Sequence, residues 1–176
     1  MSDGEILVAR KDAVIQVRLS GRATFMISKP LREYCLQALG DKVRHLIVDF
    51  SACISMDSTF MGVLTIIGLE CRRRQATIVF VNTTPFLRDL LDGLGVTDMF
   101  QFTSEPVTEV TWQTLAVAAG QVTNMTQVAD TVLEAHQALM NASPDNVPKF
   151  QSVVEMLTVE VNNSSVAVKF SHKLCG

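Results

Sequence analysis

The sequence predicts an α/β fold: a mixed sheet of four or five strands with helices packed on it, followed by a mainly helical C-terminal extension. Three observations carry that expectation. Residues 13–20 (A-V-I-Q-V-R-L-S) alternate, placing Ile15, Val17 and Leu19 on one face of a half-buried strand. Residues 45–50 (H-L-I-V-D-F) and 76–81 (A-T-I-V-F-V) are short apolar runs, as in strands covered on both faces. Stripes of helical period lie between and after them, and strands joined through helices pair in parallel with right-handed crossovers.

The elements follow in order. Residues 6–9 supply a first strand, set off from the second by the polar turn Arg10-Lys11-Asp12, and Gly21 ends the second. Ser28 followed by Lys29-Pro30 predicts a helix start, with serine as N-cap and proline in the first turn. Leu31, Tyr34, Cys35, Ala38 and Leu39 form its stripe, and Gly40 stops it. After the strand at 45–50, Met56-Asp57-Ser58-Thr59 opens a second helix that runs to Arg72-Arg73-Arg74. Phe60, Leu64, Ile67 and Cys71 are its apolar stripe, widened by Val63 and Ile66. Thr84-Pro85 caps a third helix through Phe86, Leu87, Leu90 and Leu91, which Gly93 or Gly95 ends. The order is β-β-α-β-α-β-α.

Past Phe102 the character changes, dividing the chain into a first domain of residues 1–103 and an extension of residues 104–176. Residues 103–107 read as a linker, and residues 108–123 show no clear period. Val128, Ala129, Val132, Leu133, His136, Leu139 and Met140 then mark a helix beginning at Met125, and Ser143-Pro144-Asp145-Asn146 is a turn. Phe150, Val153, Val154 and Leu157 begin a second helix. Its end stays open, because residues 157–161 and 166–170 also alternate and could pair as a hairpin around Asn162-Asn163-Ser164-Ser165. Two apolar faces joined by a short turn predict a hairpin of helices that docks on the first domain or on a second copy, forming a homodimer through the extension.

Composition excludes several classes of function. The chain has 176 residues, a net charge of −3 and a pI near 5.6, against the basic footprint of a nucleic-acid binder. Charged residues break up the early sequence, and the longest apolar stretch, residues 61–69, is too short to span a bilayer. The expectation is a cytoplasmic protein bound to neither membrane nor nucleic acid. Cys35, Cys53, Cys71 and Cys175 are scattered without metal-ligand spacing, which predicts structural thiols and no metal or cofactor. His45, His136 and His172 are far apart with no evident Ser or Cys partner, and Gly-x-Ser-x-Gly is missing, so no catalytic residue is expected. The arginine run at 72–74 sits where cations complement a helix dipole.

One segment carries a more specific signal. Residues 47–51 (I-V-D-F-S) and 56–64 (M-D-S-T-F-M-G-V-L) form a buried strand ending in Asp-Phe-Ser, a loop, and an Asp-Ser-Thr run entering an apolar helix. With the element order and the Leu-Leu-Asp-Gly-Leu-Gly-Val turn at 90–96, this resembles the STAS family of anti-sigma factor antagonists. The resemblance covers residues 1–103. It implies a non-enzymatic, phosphorylation-regulated protein-interaction switch that binds an anti-sigma factor with serine kinase activity and is reset by a phosphatase. Ser58 is the implied phosphorylation site, and Asp57, Ser58, Thr59, Phe60 and Met61 the implied partner-binding surface. Where the family usually has glycine after the Ser-Ser/Thr pair, this chain has Phe60. The competing expectation is a STAS scaffold or sensory module of a larger signalling assembly. On residue type alone, Asp57, Ser58 and Thr59 also suit helix capping. Phosphate at a helix N-terminus would be tolerated by the positive end of the dipole, so modification should leave the fold intact.

Overall fold

The computed structural model describes residues 4–104, 110–115 and 125–173, with side chains over 127–163 of the last segment. Strands β1 (Glu5–Lys11) and β2 (Val14–Ala23) form an antiparallel pair. β3 (His45–Met56), β4 (Thr77–Val81) and β5 (Gln101–Thr103) add to β2 in parallel. β6 (Gln113–Thr114) pairs antiparallel with β1 on the other edge, giving the order β5-β4-β3-β2-β1-β6. The sheet is mixed, as expected, but among the described residues it has six strands rather than four or five. The two extra strands span only three and two residues, too short for a period-2 pattern to register. They are recruited by pairing with edges already formed.

Helices α1 (Phe25–Gly40), α2 (Ser58–Arg73) and α3 (Pro85–Asp92) connect the parallel strands. α2 and α3 begin where the capping residues predict. Thr84 caps α3 by accepting from the Leu87 N–H, with Pro85 at the first helical position. α1 starts at Phe25, before the predicted Ser28, and carries Pro30 inside the helix. Ser28 does not cap; its hydroxyl donates to the Thr24 carbonyl one turn back. The acceptor for the first N–H of α1 comes from another element, described below.

Ile15, Val17 and Leu19 of β2 are fully buried, as are Leu46 and Phe50 of β3 and Phe80 of β4. They meet Leu31, Cys35 and Leu39 of α1 and Phe60, Leu64 and Ile67 of α2 in one core. Phe80 is its aromatic centre. It stacks on Phe100 at 4.2 Å between ring centroids, lies tilted on Phe50 at 4.9 Å and meets the edge of Phe102 at 5.7 Å.

The extension forms α4 (Met125–Ala142), a 3-10 turn (Pro144–Asn146) and α5 (Val147–Lys173). The chain stays helical across the segment that also read as a hairpin. α4 lies on α2 and reaches α1, while α5 packs on α4, so these two helices add a further layer over α1 and α2. The junction turns on Asn146, which is fully buried; its side-chain amide donates to the Leu139 and Leu94 carbonyls, both at 2.8 Å. Gly95 beside it takes a positive φ of 63°, and a Cβ there would press on Ser143 at 3.3 Å, so glycine suits this turn twice over.

Phe80 generates a prediction. Phe80→Ala removes a ring that three others contact in a core with no exposure at that position, and should lower unfolding stability by about 3–5 kcal/mol. Urea denaturation measures it; a loss under about 1 kcal/mol would mean that the aromatic cluster collapses freely.

Candidate functional site

The predicted switch segment lies where β3 hands over to α2. β3 extends six residues beyond the apolar run that predicted it, to Met56, and delivers Asp57 in extended conformation as the α2 N-cap. The two carboxylate oxygens of Asp57 divide their work. Oδ1 accepts from the Phe60 N–H of α2 at 2.8 Å, and Oδ2 accepts from the Phe25 N–H of α1 at 2.8 Å. One carboxylate therefore caps two helices, and a negative charge sits between two positive helix ends.

Ser58 is the first residue of α2 and is half-buried. Its Oγ lies 3.0 Å from Nε2 of His136 on α4. The His136 Nδ1 is 2.8 Å from the Val132 carbonyl, which can only accept, so Nδ1 carries the proton. Nε2 then offers a lone pair, and the Ser58 hydroxyl donates to it. The His136 ring also packs on Phe150 of α5 at 4.8 Å between centroids and is buried. The histidines show no serine partner in sequence, yet His136 has one 78 residues away. Its place on the apolar stripe of α4 was the available signal, because a polar residue on a buried face needs a partner.

The remaining residues of the expected partner surface point inward. Phe60 has no exposure and belongs to the core, and Thr59 and Met61 are also buried. Asp57 and Ser58 alone of the five keep a half-buried place near the surface. The helix entrance is overlaid by α4. Gly62, one turn beyond Ser58, makes this approach close: a Cβ there would stand 2.4 Å from the Ala135 carbonyl oxygen and 2.7 Å from the Ala135 Cβ.

A second polar cluster lies at the sheet. Asp49 on β3 is almost fully buried and accepts from Arg18 Nε at 2.9 Å, from the Asn82 amide at 3.0 Å and from the Ser51 N–H at 3.0 Å. Burial pushes its carboxyl up, but the hydrogen bonds from Asn82, Ser51 and Arg18 outweigh that and hold it below the ordinary value. The Arg18 guanidinium in turn covers the Trp112 ring at 4.5 Å, tying the segment that carries β6 to the sheet. An open cleft of about 460 Å³ adjoins this region, lined by Asn82, Thr83, Arg88 and Phe102 among others. Among the described residues, no group of His, Cys, Asp and Glu could hold a metal ion. Nor is any described helix long and apolar enough to cross a membrane.

Comparison with known proteins bears on this architecture. A family model described as "Mlab, STAS domain" matches residues 6–102. Two solved structures superpose on the same part. The anti-sigma factor antagonist SpoIIAA in its unphosphorylated form does so with a TM-score of 0.52 at 18% identity, over 57% of this chain and 89% of that one. An anti-sigma factor antagonist from Mycobacterium paratuberculosis gives 0.51 at 19% identity, over 58% and 87%. At these identities the likeness is one of fold. A search of curated proteins finds no match.

Two outcomes are expected from this geometry. Asp57→Ala strips an acceptor from two helix ends at once, and should cost roughly 2–4 kcal/mol in urea denaturation, about double a single cap. Loss of no more than one ordinary cap would show that Phe25 finds another acceptor. Asp49 sets an acid response. Its folded pKa is depressed, so its contribution is fully present above the unfolded value of about 3.9 and disappears as pH falls through the lower folded value. Asp49→Asn should therefore be less stable than the wild type at pH 7, with the gap closing below about pH 4. A gap that is unchanged between pH 7 and pH 3 would contradict the assignment.

Proposed function

Because the chain belongs to the STAS domain family, whose model spans more than half of it, we propose that it is a phosphorylation-regulated protein-interaction switch. In this reading it is a cytoplasmic, non-enzymatic anti-sigma factor antagonist. Residues 1–103 are the switch domain and residues 104–176 its regulatory extension. Its partner is an anti-sigma factor with serine kinase activity, Ser58 receives the phosphate, and a phosphatase removes it.

The observation that carries the reading is the position of Ser58. It is the first residue of a helix whose cap is supplied by its neighbour Asp57, so its own hydroxyl is not needed for capping. Once its bond to His136 is released, its oxygen can carry a phosphate of roughly −1.5 to −2 charges at the positive end of the α2 dipole. The fold should tolerate that charge. A partner lying against Asp57 and Ser58 would meet two adjacent negative groups where it had met one. The solved proteins whose fold this chain shares are anti-sigma factor antagonists, which accords with such a role.

The Ser58–His136 pair also invites a hydrolytic reading, since a serine donating to a histidine is the start of a nucleophile–base pair. Two features weigh against it. The histidine is oriented by a backbone carbonyl and not by a carboxylate. Its ring is also buried and packed against Phe150. The scaffold or sensory-module reading keeps one observation in its favour, the extension that overlies α2.

The test uses the kinase-type anti-sigma factors of the same genome, each incubated with the full chain and ATP. One phosphate per chain is expected on the wild type and none on Ser58→Ala. Ser58→Asp should weaken anti-sigma factor binding while shifting the thermal midpoint by no more than a few degrees, as for a change of under about 1 kcal/mol. Phosphate on Thr59 instead would move the role by one residue. No phosphate from any of these kinases would favour the scaffold.

A further inference from the structure

We propose that α4 is a built-in cover over the Ser58 surface, which swings aside before a macromolecular partner can reach the serine. The inference rests on the role of Ser58 proposed above.

Ser58 and Gly62 lie one turn apart on the same face of α2. The consecutive α4 residues His136 and Ala135 occupy that face. His136 takes the serine hydroxyl, and the Ala135 backbone lies where a Gly62 side chain would stand. A kinase domain or an anti-sigma factor approaching Ser58 meets α4 first. No partner surface fits between helices that already touch backbone to backbone.

The hold on α4 is uneven along its length, and this makes a cover of it. At its C-terminal end Asn146 is buried with both amide bonds made, and Lys149 donates to the Gly93 carbonyl at 2.9 Å. Leu139, fully buried, lies toward this end. Toward the N-terminal end the polar ties run to α1 and stand at the surface: Lys29 to Gln127, and Arg32 to Glu134, whose carboxylate is 47% exposed. Surface pairs of this kind hold weakly, because solvent screens them and ordering two long side chains costs entropy. Of the apolar side chains described in that half, only the small Ala129 is buried, and Val128, Val132 and Leu133 keep part of their surface in solvent, which limits the area they bury. α4 is therefore anchored at the Ser143–Asn146 turn and lightly held beyond it. The Ser58–His136 bond breaks when it lifts. In the lifted state the hydroxyl and Asp57 face solvent, while the α2 stripe of Phe60, Leu64 and Ile67 stays in the sheet core.

Thiol labelling of the full chain tests this without any partner. Ser58→Cys is made together with Cys175→Ser, because Cys35, Cys53 and Cys71 are buried and burial pushes the latter two thiols up to about 11. An aromatic disulfide reagent then reports how often position 58 opens. Labelling should be at least about tenfold slower than in urea, and should accelerate about tenfold when Gly62→Leu is added. Amide hydrogen exchange should show β2 to β4 still protected in that variant. Arg32→Glu, which sets two carboxylates against each other at the surface, should accelerate labelling in the same direction with no core change. Equal rates with and without these substitutions overturn the proposal. So does loss of sheet protection in both variants, which would make α4 part of the core. With a kinase that modifies Ser58, Gly62→Leu alone should take phosphate faster than the wild type. A slower rate would make α4 part of what the kinase recognises, and would also overturn the cover. Absence of phosphate from both forms would sink the switch and not the cover, which the thiol rates decide.

Discussion

The arrangement of the first domain hangs on the Asp57 carboxylate. Two helices that start 33 residues apart in sequence, at Phe25 and Ser58, each leave N–H groups unsatisfied at their first turn. A single side chain at the end of β3 serves both. Asp57 can do so because β2 and β3 run parallel and, through two register shifts, stay paired as far as Ala23 and Met56, bringing the α1 and α2 entrances side by side. The parallel sheet makes the shared cap possible, and the shared cap fixes how the two helices leave the sheet. Ser58 inherits its position from that arrangement. It is presented at the helix entrance by a neighbour that has already met the local capping need.

The charged residues flanking these helices act mainly on the fold. Arg73 and Arg74 both bond Glu70, and Arg74 also donates to the Leu39 carbonyl on α1. The hydrogen bonds from Arg73 and then Arg74 hold the Glu70 carboxyl down to about 2. The arginine run is thus spent on the C-terminal end of α2 and on its contact with α1, consistent with cations at a helix C-terminus. Asp49 plays the matching part at the sheet, joining Arg18 of β2, Asn82 after β4 and its own Ser51 N–H. At one end of the molecule charge locks helix to helix, and at the sheet it locks strand to strand.

The extension changes what the first domain presents. α4 covers the face of α2 that carries Ser58 and Gly62, and Gly62 lets it approach until a Cβ there would meet the Ala135 backbone and side chain. The seam between Gly62 and Ala135 is made of small residues, so its closeness comes without much apolar area. His136 adds direction to it. The bond to Ser58 sets the register of α4 on α2, and Phe150 holds the histidine ring from the far side. Asn146 supplies the fixed point from which both helices of the extension depart.

By itself the sequence determined the alternation of strands and helices, the apolar stripes of α1 and α2, the caps of α2 and α3, and the Asp-Ser-Thr run that marks Ser58. These are local or periodic properties, written in residues a few positions apart. It also determined that the extension has two apolar helical faces that must be covered. Only the tertiary structure decided what covers them, that α1 begins at Phe25 on a cap supplied from β3, and that two- and three-residue strands complete the sheet. It alone paired His136 with Ser58 and turned Met61 inward. The reason is common to all of these. Each depends on a partner brought close by the fold from tens of residues away, and a hydrogen-bond acceptor or a packing surface at that distance leaves no periodic trace in the chain.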